Sequence, residues 1–190
     1  MNLPNKLTVA RLILTAVFVV CFYLPVGNHV SFAALVFGLA SITDYFDGKI
    51  ARQRGIVTNF GKLFDPLADK VLIAAAFILL VETRDLPAWI AVVVLAREFC
   101  VTGIRLIAAG QGAILSAERL GKHKMLWQIL TVSWFLVKRA SDETIFGFAK
   151  PLFTIAPAWV PDVLIYFTTL LTLVSGFSYF WKNHHLFNDA

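Results

Sequence analysis

Four aspartates in the first half of the chain lie at spacings that place them on two helix faces. Asp44 and Asp47 end one apolar run, and Asp65 and Asp69 begin the next one. At about 100° per residue, the members of each pair share a face of their helix. The short connection between the runs predicts antiparallel neighbours whose four carboxylates converge. Pro66 disfavours helical geometry at the preceding residue, so we expect Asp65 to cap the start of its helix.

Converging carboxylates predict a site for divalent cations. Four charged carboxylates would repel one another strongly at low dielectric, so either basic side chains or divalent ions must neutralise them. Oxygen ligands favour Mg²⁺ or Mn²⁺, and two such ions suit phosphoryl chemistry. Gly48 lies on the helix face of Asp44 and Asp47, and Gly61 lies on that of Asp65 and Asp69. Without side chains, these glycines would let a flat group such as a nucleotide approach the backbone. The structural alternative is an Asp44–Arg52 ion pair with Gly48 as a helix-packing contact.

The elements that must position these residues belong to a membrane protein. Hydrophobic residues make up 58% of the 190 residues and charged residues 15%, against about 25% charged in soluble domains. A chain of this size cannot bury so much apolar surface, so the excess faces lipid. We predict an all-α, polytopic membrane protein with one domain over 1–190 and six transmembrane helices in one bundle. The predicted spans are 8–26, 31–50, 63–82, 87–109, 122–138 and 161–181.

The distribution of lysine and arginine predicts the orientation of this bundle. If the six spans alternate in direction, thirteen of the 17 basic residues lie at the end that carries both termini, and four lie at the other. By the positive-inside rule, we expect a protein of the inner cell membrane in which both termini face the cytoplasm. The predicted site at the four aspartates then faces the cytoplasm too. The net charge of +5 suits contact with anionic lipid head groups at the inner leaflet. We expect no nucleic-acid partner. The stretch 141–160 is expected to form an outer loop with an interfacial piece near Trp159.

The aspartates belong to a longer pattern that runs from Asp44 to Asp69. The pattern, D-x2-D-G-x2-A-R-x8-G-x3-D-x3-D, resembles the signature of the CDP-alcohol phosphatidyltransferase family. The segments LPNKLTVARL, NFGKLFDPLADKVL, AREFCVTGIRL and LGKHK are similar to bacterial members that make phosphatidylglycerophosphate, along most of the chain. Met125 departs from these members, in which a threonine often follows the GKxK run. The contact that this position makes with the acceptor substrate is therefore left open.

This resemblance implies that the chain is an enzyme of phospholipid biosynthesis. The implied reaction transfers a phosphatidyl group from CDP-diacylglycerol to sn-glycerol 3-phosphate and releases CMP, with two Mg²⁺ or Mn²⁺ ions as cofactors. The resemblance implies Asp44, Asp47 and Asp65 as metal ligands, together with Asp69, which it also implies as the base that takes the proton of the attacking hydroxyl. The resemblance places the cytidine against Gly48, Ala51, Arg52 and Gly61, and it implies a homodimer.

Basic residues beyond the motif could hold the acceptor. Arg97 and Arg105 lie in an apolar run about 80° apart around a helix, so Glu98 cannot face both. The phosphate of glycerol 3-phosphate would supply the missing anion. The residues expected to bind it are Arg97, Arg105, Arg119, Lys122 and Lys124. The alternative for these residues is binding to lipid head groups or a purely topological role.

Two other functions stay open on the sequence. A small cation transporter also places acidic residues inside a helical bundle, but a transport path needs polar groups at mid-depth. All four aspartates lie at one membrane face in the predicted topology, which favours the enzyme. Within the family, the acceptor could instead be inositol phosphate, serine or phosphatidylglycerol.

Overall fold

The computed structural model describes residues 3–54, 59–110 and 119–184, and within these ranges the side chains of 8–43, 70–110, 121 and 123–184. Within these residues the chain is helical, and they contain no β-strand. This confirms the predicted all-α class. The helices are α1 (Leu3–Tyr23), α2 (His29–Arg54), α3 (Asn59–Glu82), α4 (Ala88–Gly110), α5 (Arg119–Ala140), a 3-10 helix (Gly147–Ala149), α6 (Lys150–Ile155) and α7 (Val160–Lys182).

Each of the six predicted apolar segments coincides with one long helix, but several helices extend beyond the apolar run. The first helix begins at Leu3 and the second ends at Arg54, because polar residues continue the helix past the hydrophobic stretch. The expectation that Asp65 caps a helix was wrong. The third helix begins at Asn59, so Asp65 and Pro66 lie inside it.

One helix among the described residues is long enough and apolar enough to cross a membrane by these properties alone, namely Val160–Lys182. The segments Thr8–Tyr23 and His29–Thr43 are apolar but shorter. In α4 the charges of Arg97, Glu98 and Arg105 interrupt the apolar run. The count of six spans and the orientation of the termini therefore stay predictions.

The long helices pack as one bundle around an aromatic and aliphatic core. The first helix packs against α2 and α3, α5 packs against α2 and α7, and α4 packs against α3 and α7. Phe18 and Phe37 join α1 to α2 with ring centroids 5.6 Å apart, and both side chains are buried. Phe77, Leu80 and Leu136 extend the same core into α3 and α5.

Polar contacts tie the helices together at the end of the bundle where α1 ends and α2 begins, here called the opposite end. Arg139 of α5 donates hydrogen bonds to the carboxylate of Asp85, at 2.5 Å, and to the carbonyl of Thr83, at 2.7 Å. The carboxylate of Glu143 accepts bonds from the first backbone N–H groups of α2, at Val30 (3.0 Å) and Ser31 (2.7 Å). This carboxylate satisfies donors that the helix itself leaves without partners.

The stretch 141–160 contains short helices rather than a long one. The sixth helix has Pro151 in its first turn, where proline is tolerated, and ends at Ile155, before Pro157. Phe148, Ile155 and Trp159 are largely exposed. Lys150 donates to the Asp142 carboxylate over 2.8 Å, and this bond lowers the pKa of Asp142. The interfacial position of this stretch stays a prediction.

Candidate active site

The motif residues lie where α2 ends and α3 begins, here called the motif end. Asp44, Asp47, Gly48, Ala51 and Arg52 belong to the last turns of α2. The backbone there is helical, which supports the argument that the two aspartates, three residues apart, share a face.

The third helix carries the rest of the motif. Gly61, Asp65 and Asp69 follow one another at intervals of four residues within α3. Because this backbone is helical too, the three positions form a single stripe. The side chains of all eight motif residues lie outside the described ones, so their convergence stays a prediction.

The chemistry of the predicted donor set fits a divalent cation. Carboxylate oxygens are hard ligands that suit Mg²⁺ or Mn²⁺. Among the described side chains, no group of three or more His, Cys, Asp or Glu residues could hold a metal ion. The candidate ligands remain Asp44, Asp47, Asp65 and Asp69.

A buried ion pair joins α4 to α5. The ammonium of Lys124 donates a hydrogen bond to Glu98 Oε1, and both residues are buried. The same oxygen lies 3.5 Å from Nη1 of Arg97 and 3.5 Å from Nε2 of Gln128. Burying charges is costly unless they are paired, and here one carboxylate serves two cations. The structure therefore brings Arg97 and Lys124 together around Glu98.

Arg105 has a different partner, which lies on α7. Its Nε donates to the hydroxyl of Tyr179 on α7 over 3.2 Å, and its Cζ lies 5.3 Å from the centre of that ring. The ring packs against Val101 and Ile104, which lie between the two arginines on α4. Glu98 thus contacts Arg97, and Arg105 contacts Tyr179 instead, in agreement with the prediction that Glu98 cannot face both arginines.

A lysine of α3 also interacts with this charged group. Lys70 of α3 interacts electrostatically with both Glu98 and Lys124. Lys70 directly follows Asp69 in the sequence. Lys70 therefore links the position after Asp69 electrostatically to the Glu98–Lys124 pair.

Two of the five predicted acceptor residues are not described at the level of side chains. Arg119 and Lys122 belong to the first turn of α5, on the same helix as Lys124, and their side chains lie outside the described ones. Arg97, Arg105 and Lys124 are described and lie at or near the motif end.

Residues of α7 that the sequence analysis did not single out contact this group. Ser175 accepts a hydrogen bond from Nη2 of Arg97 over 3.0 Å. Ser175 and Tyr179 continue a buried row of polar side chains on α7 that includes Thr168 and Thr172. The spacing of four, three and four residues in an otherwise apolar helix could have identified this row.

The chain is similar to enzymes of lipid metabolism. Residues 1–174 match the family described as CDP-alcohol phosphatidyltransferase. A protein of Bacillus subtilis (strain 168), named CDP-diacylglycerol–glycerol-3-phosphate 3-phosphatidyltransferase, is 41% identical over 96% of this chain and 95% of its own length. Proteins of the same name from Rickettsia felis and Escherichia coli (strain K12) are 36% and 38% identical. They cover 94% and 71% of this chain, and 93% and 76% of their own lengths.

Proposed function

The chain belongs to the CDP-alcohol phosphatidyltransferase family, and on this premise we propose that it transfers a phosphatidyl group from CDP-diacylglycerol to sn-glycerol 3-phosphate, with release of CMP. The relatives named for this reaction match it over most of its length. Family membership also favours the enzyme over the cation transporter. The structural observation that carries the proposal is the position of Lys70, beside Asp69, near the Glu98–Lys124 pair. If Asp69 is the base, this position supports a site in which the base and the phosphate-binding cations lie at one end of the bundle.

The reaction needs a base and no strong acid. A hydroxyl oxygen of the acceptor forms a bond to the phosphatidyl phosphorus, and the bond from that phosphorus to the CMP oxygen breaks. The departing CMP takes the electron pair. We assign the hydroxyl proton to the carboxylate of Asp69, a role suited to a side chain beside the attacking oxygen. CMP is a good leaving group, so a general acid contributes less.

Asp44, Asp47 and Asp65, together with Asp69, would hold two divalent ions, Mg²⁺ or Mn²⁺. When bound, such ions neutralise the phosphate oxygens and so ease attack by an oxygen nucleophile. Carboxylates on one face of α2 and one face of α3 could reach the same ions from two sides. The cytidine would lie against the small residues of these stripes, with a cation nearby; the residues are Gly48, Ala51, Gly61 and Arg52.

The acceptor phosphate would bind beside the aspartates, among the basic side chains of α4 and α5. Arg105 is central to this assignment because its described partner, Tyr179, is uncharged. A phosphate would supply an anion for it and could accept two hydrogen bonds from one guanidinium. Arg97 and Lys124 would add positive charge from the side of Glu98, and Arg119 and Lys122 from the start of α5.

We also propose that the protein is a multi-pass protein of the inner cell membrane, with six crossing helices and both termini in the cytoplasm. The long helices have 21 to 26 residues, enough to cross a bilayer core. Basic residues of the opposite end, such as Arg139 and Lys150, pair with Asp85 and Asp142. This leaves the excess positive charge at the motif end. A single domain over 1–190 and a homodimer complete the proposal.

The function can be tested with purified protein in liposomes that contain CDP-diacylglycerol. We expect CMP release that requires both glycerol 3-phosphate and Mg²⁺ or Mn²⁺, with phosphatidylglycerophosphate as the lipid product. CMP release with water alone, or a different lipid product, would contradict the proposed reaction. Cysteine labelling from each side of the membrane would test the orientation, and chemical cross-linking would test the dimer.

A further inference from the structure

The side chain of Arg97 lies directly against α7, at Gly176. A methyl group on Gly176 would stand 2.8 Å from Cγ of Arg97, 3.5 Å from its Nε and 3.7 Å from its Cδ. Real Cβ atoms do not approach other heavy atoms as closely as 2.8 Å, and Cγ is the near end of the arginine side chain. Any residue larger than glycine at 176 would therefore force the Arg97 side chain to move.

Two α7 residues close to Gly176 in sequence accept hydrogen bonds from the two arginines. Ser175 accepts a hydrogen bond from Nη2 of Arg97, and Tyr179 accepts one from Nε of Arg105. The hydroxyl of Ser175 is itself oriented, because it donates to the carbonyl of Thr172 over 3.0 Å. Both α7 residues are almost fully buried.

The two arginines contact residues of α7 that are closer together in sequence than the arginines themselves. Arg97 and Arg105 are eight residues apart on α4, which corresponds to about 12 Å along the helix axis. Their partners Ser175 and Tyr179 are four residues apart on α7, about 6 Å. The contacts follow the same order along both helices, so α4 and α7 are parallel. The two contacts on α7 therefore start from backbone positions about half as far apart as the two arginines on α4.

From this geometry we propose that α7 positions the acceptor-binding arginines: Gly176 provides the space for Arg97, while Ser175 and Tyr179 orient Arg97 and Arg105 towards one phosphate. These three are positioning residues, because they act through the arginines. The proposal rests on the proposed function, since it assumes that both arginines bind the phosphate of the acceptor. It adds α7 to the elements that determine the affinity for an anionic acceptor.

The test is a double-mutant cycle between Gly176→Ala and Arg97→Ala, with the KM for glycerol 3-phosphate as the main measurement. We expect Gly176→Ala to raise this KM about tenfold, because displacing a binding group by a fraction of an ångström is costly. The kcat and the KM for CDP-diacylglycerol should change little, since the phosphate contact is made in both ground and transition states. In the Arg97→Ala background, Gly176→Ala should have no further effect on the KM.

Gly103→Ala is the matched control. Gly103 lies on α4 between the two arginines, and a methyl group there would meet no atom of the described residues within 4 Å. It adds the same methyl group to a helix of the same bundle, so its KM for glycerol 3-phosphate should equal that of the unchanged protein. An equal rise in KM for Gly103→Ala and Gly176→Ala, or additive effects in the cycle, would overturn the proposal.

Two further variants keep the test decisive if Gly176→Ala does not fold. Ser175→Ala removes one hydrogen-bond partner of Arg97, and Tyr179→Phe removes the hydroxyl that accepts from Arg105 while keeping the ring. Each should raise the KM for glycerol 3-phosphate and reduce the thermal stabilisation that this ligand gives the protein. Unchanged values for both would overturn the positioning role alone. If glycerol 3-phosphate neither stabilises the unchanged protein nor reacts, the proposed acceptor fails, and the positioning proposal with it.

Discussion

Glu98 and Lys124 form an ion pair inside the helical bundle, across 26 residues of sequence. Glu98 is 8% exposed and Lys124 is 4% exposed, so the pair is largely shielded from solvent. Arg97 lies 3.5 Å from the same carboxylate. Glu98 therefore neutralises part of the positive charge that α4 and α5 carry at this point, and it links the two helices.

Glu98→Gln should destabilise the protein strongly, because it leaves the buried Lys124 and the partly buried Arg97 near each other without a carboxylate. Removing one partner of a buried pair typically costs about 3–5 kcal/mol. The measurement is thermal or chemical unfolding in detergent. Asp142→Asn, which breaks the exposed Lys150 pair, is the control and should leave the unfolding midpoint unchanged. Similar stability of the Glu98→Gln and unchanged proteins would contradict a structural role for the buried pair.

Asp44→Asn, Asp47→Asn and Asp65→Asn should each nearly abolish turnover, because each removes a charged ligand of the proposed metal ions. Folding should survive, since removing a charge inside the membrane relieves a desolvation cost. Activity assays combined with unfolding curves separate these effects. Treatment with EDTA should inactivate the unchanged enzyme and added Mg²⁺ or Mn²⁺ should restore it; full activity in EDTA would refute the metal assignment.

Asp69→Asn should lower kcat far more than it weakens binding of CDP-diacylglycerol, because a base acts chiefly in the transition state. Steady-state kinetics with varied CDP-diacylglycerol measure both quantities. A normal kcat for the asparagine variant would remove Asp69 from the role of base.

Arg105→Ala should raise the KM for glycerol 3-phosphate and leave binding of CDP-diacylglycerol nearly unchanged. The loss of a charge-assisted, two-point contact to phosphate accounts for this selectivity. Arg84→Ala is a suitable control, because Arg84 follows α3 at the opposite end of the bundle. Equal effects of the two substitutions would indicate that Arg105 contributes only general positive charge.

The sequence was sufficient to predict the helices, because long apolar runs dominate it. It was less informative about helix ends: Asp65 was expected at a helix start, yet α3 begins six residues earlier, at Asn59. Hydropathy marks the apolar part of a helix, and polar turns can continue it at either end. The helix boundary expected from Pro66 was also wrong. The effect of proline on the preceding residue is a preference, and the rest of the helix can override it.

The partners of the basic residues were harder to predict, because they depend on how helices distant in sequence pack together. The separation of Arg97 and Arg105 around α4 correctly indicated that Glu98 could not contact both. It could not indicate that Lys124 would pair with Glu98, or that Gly176 would leave space for Arg97. The placement of the aspartate side chains stays a prediction of the sequence.

The most direct test of the proposed function is a competition among acceptors. Purified protein in liposomes with CDP-diacylglycerol and metal ions would be offered glycerol 3-phosphate, inositol phosphate, serine and phosphatidylglycerol together, and the lipid products separated and quantified. We predict that phosphatidylglycerophosphate is the main product, because an acceptor without a phosphate, such as serine, could not make the proposed two-point contact to Arg105. Faster turnover of serine, inositol phosphate or phosphatidylglycerol than of glycerol 3-phosphate would contradict the proposed acceptor.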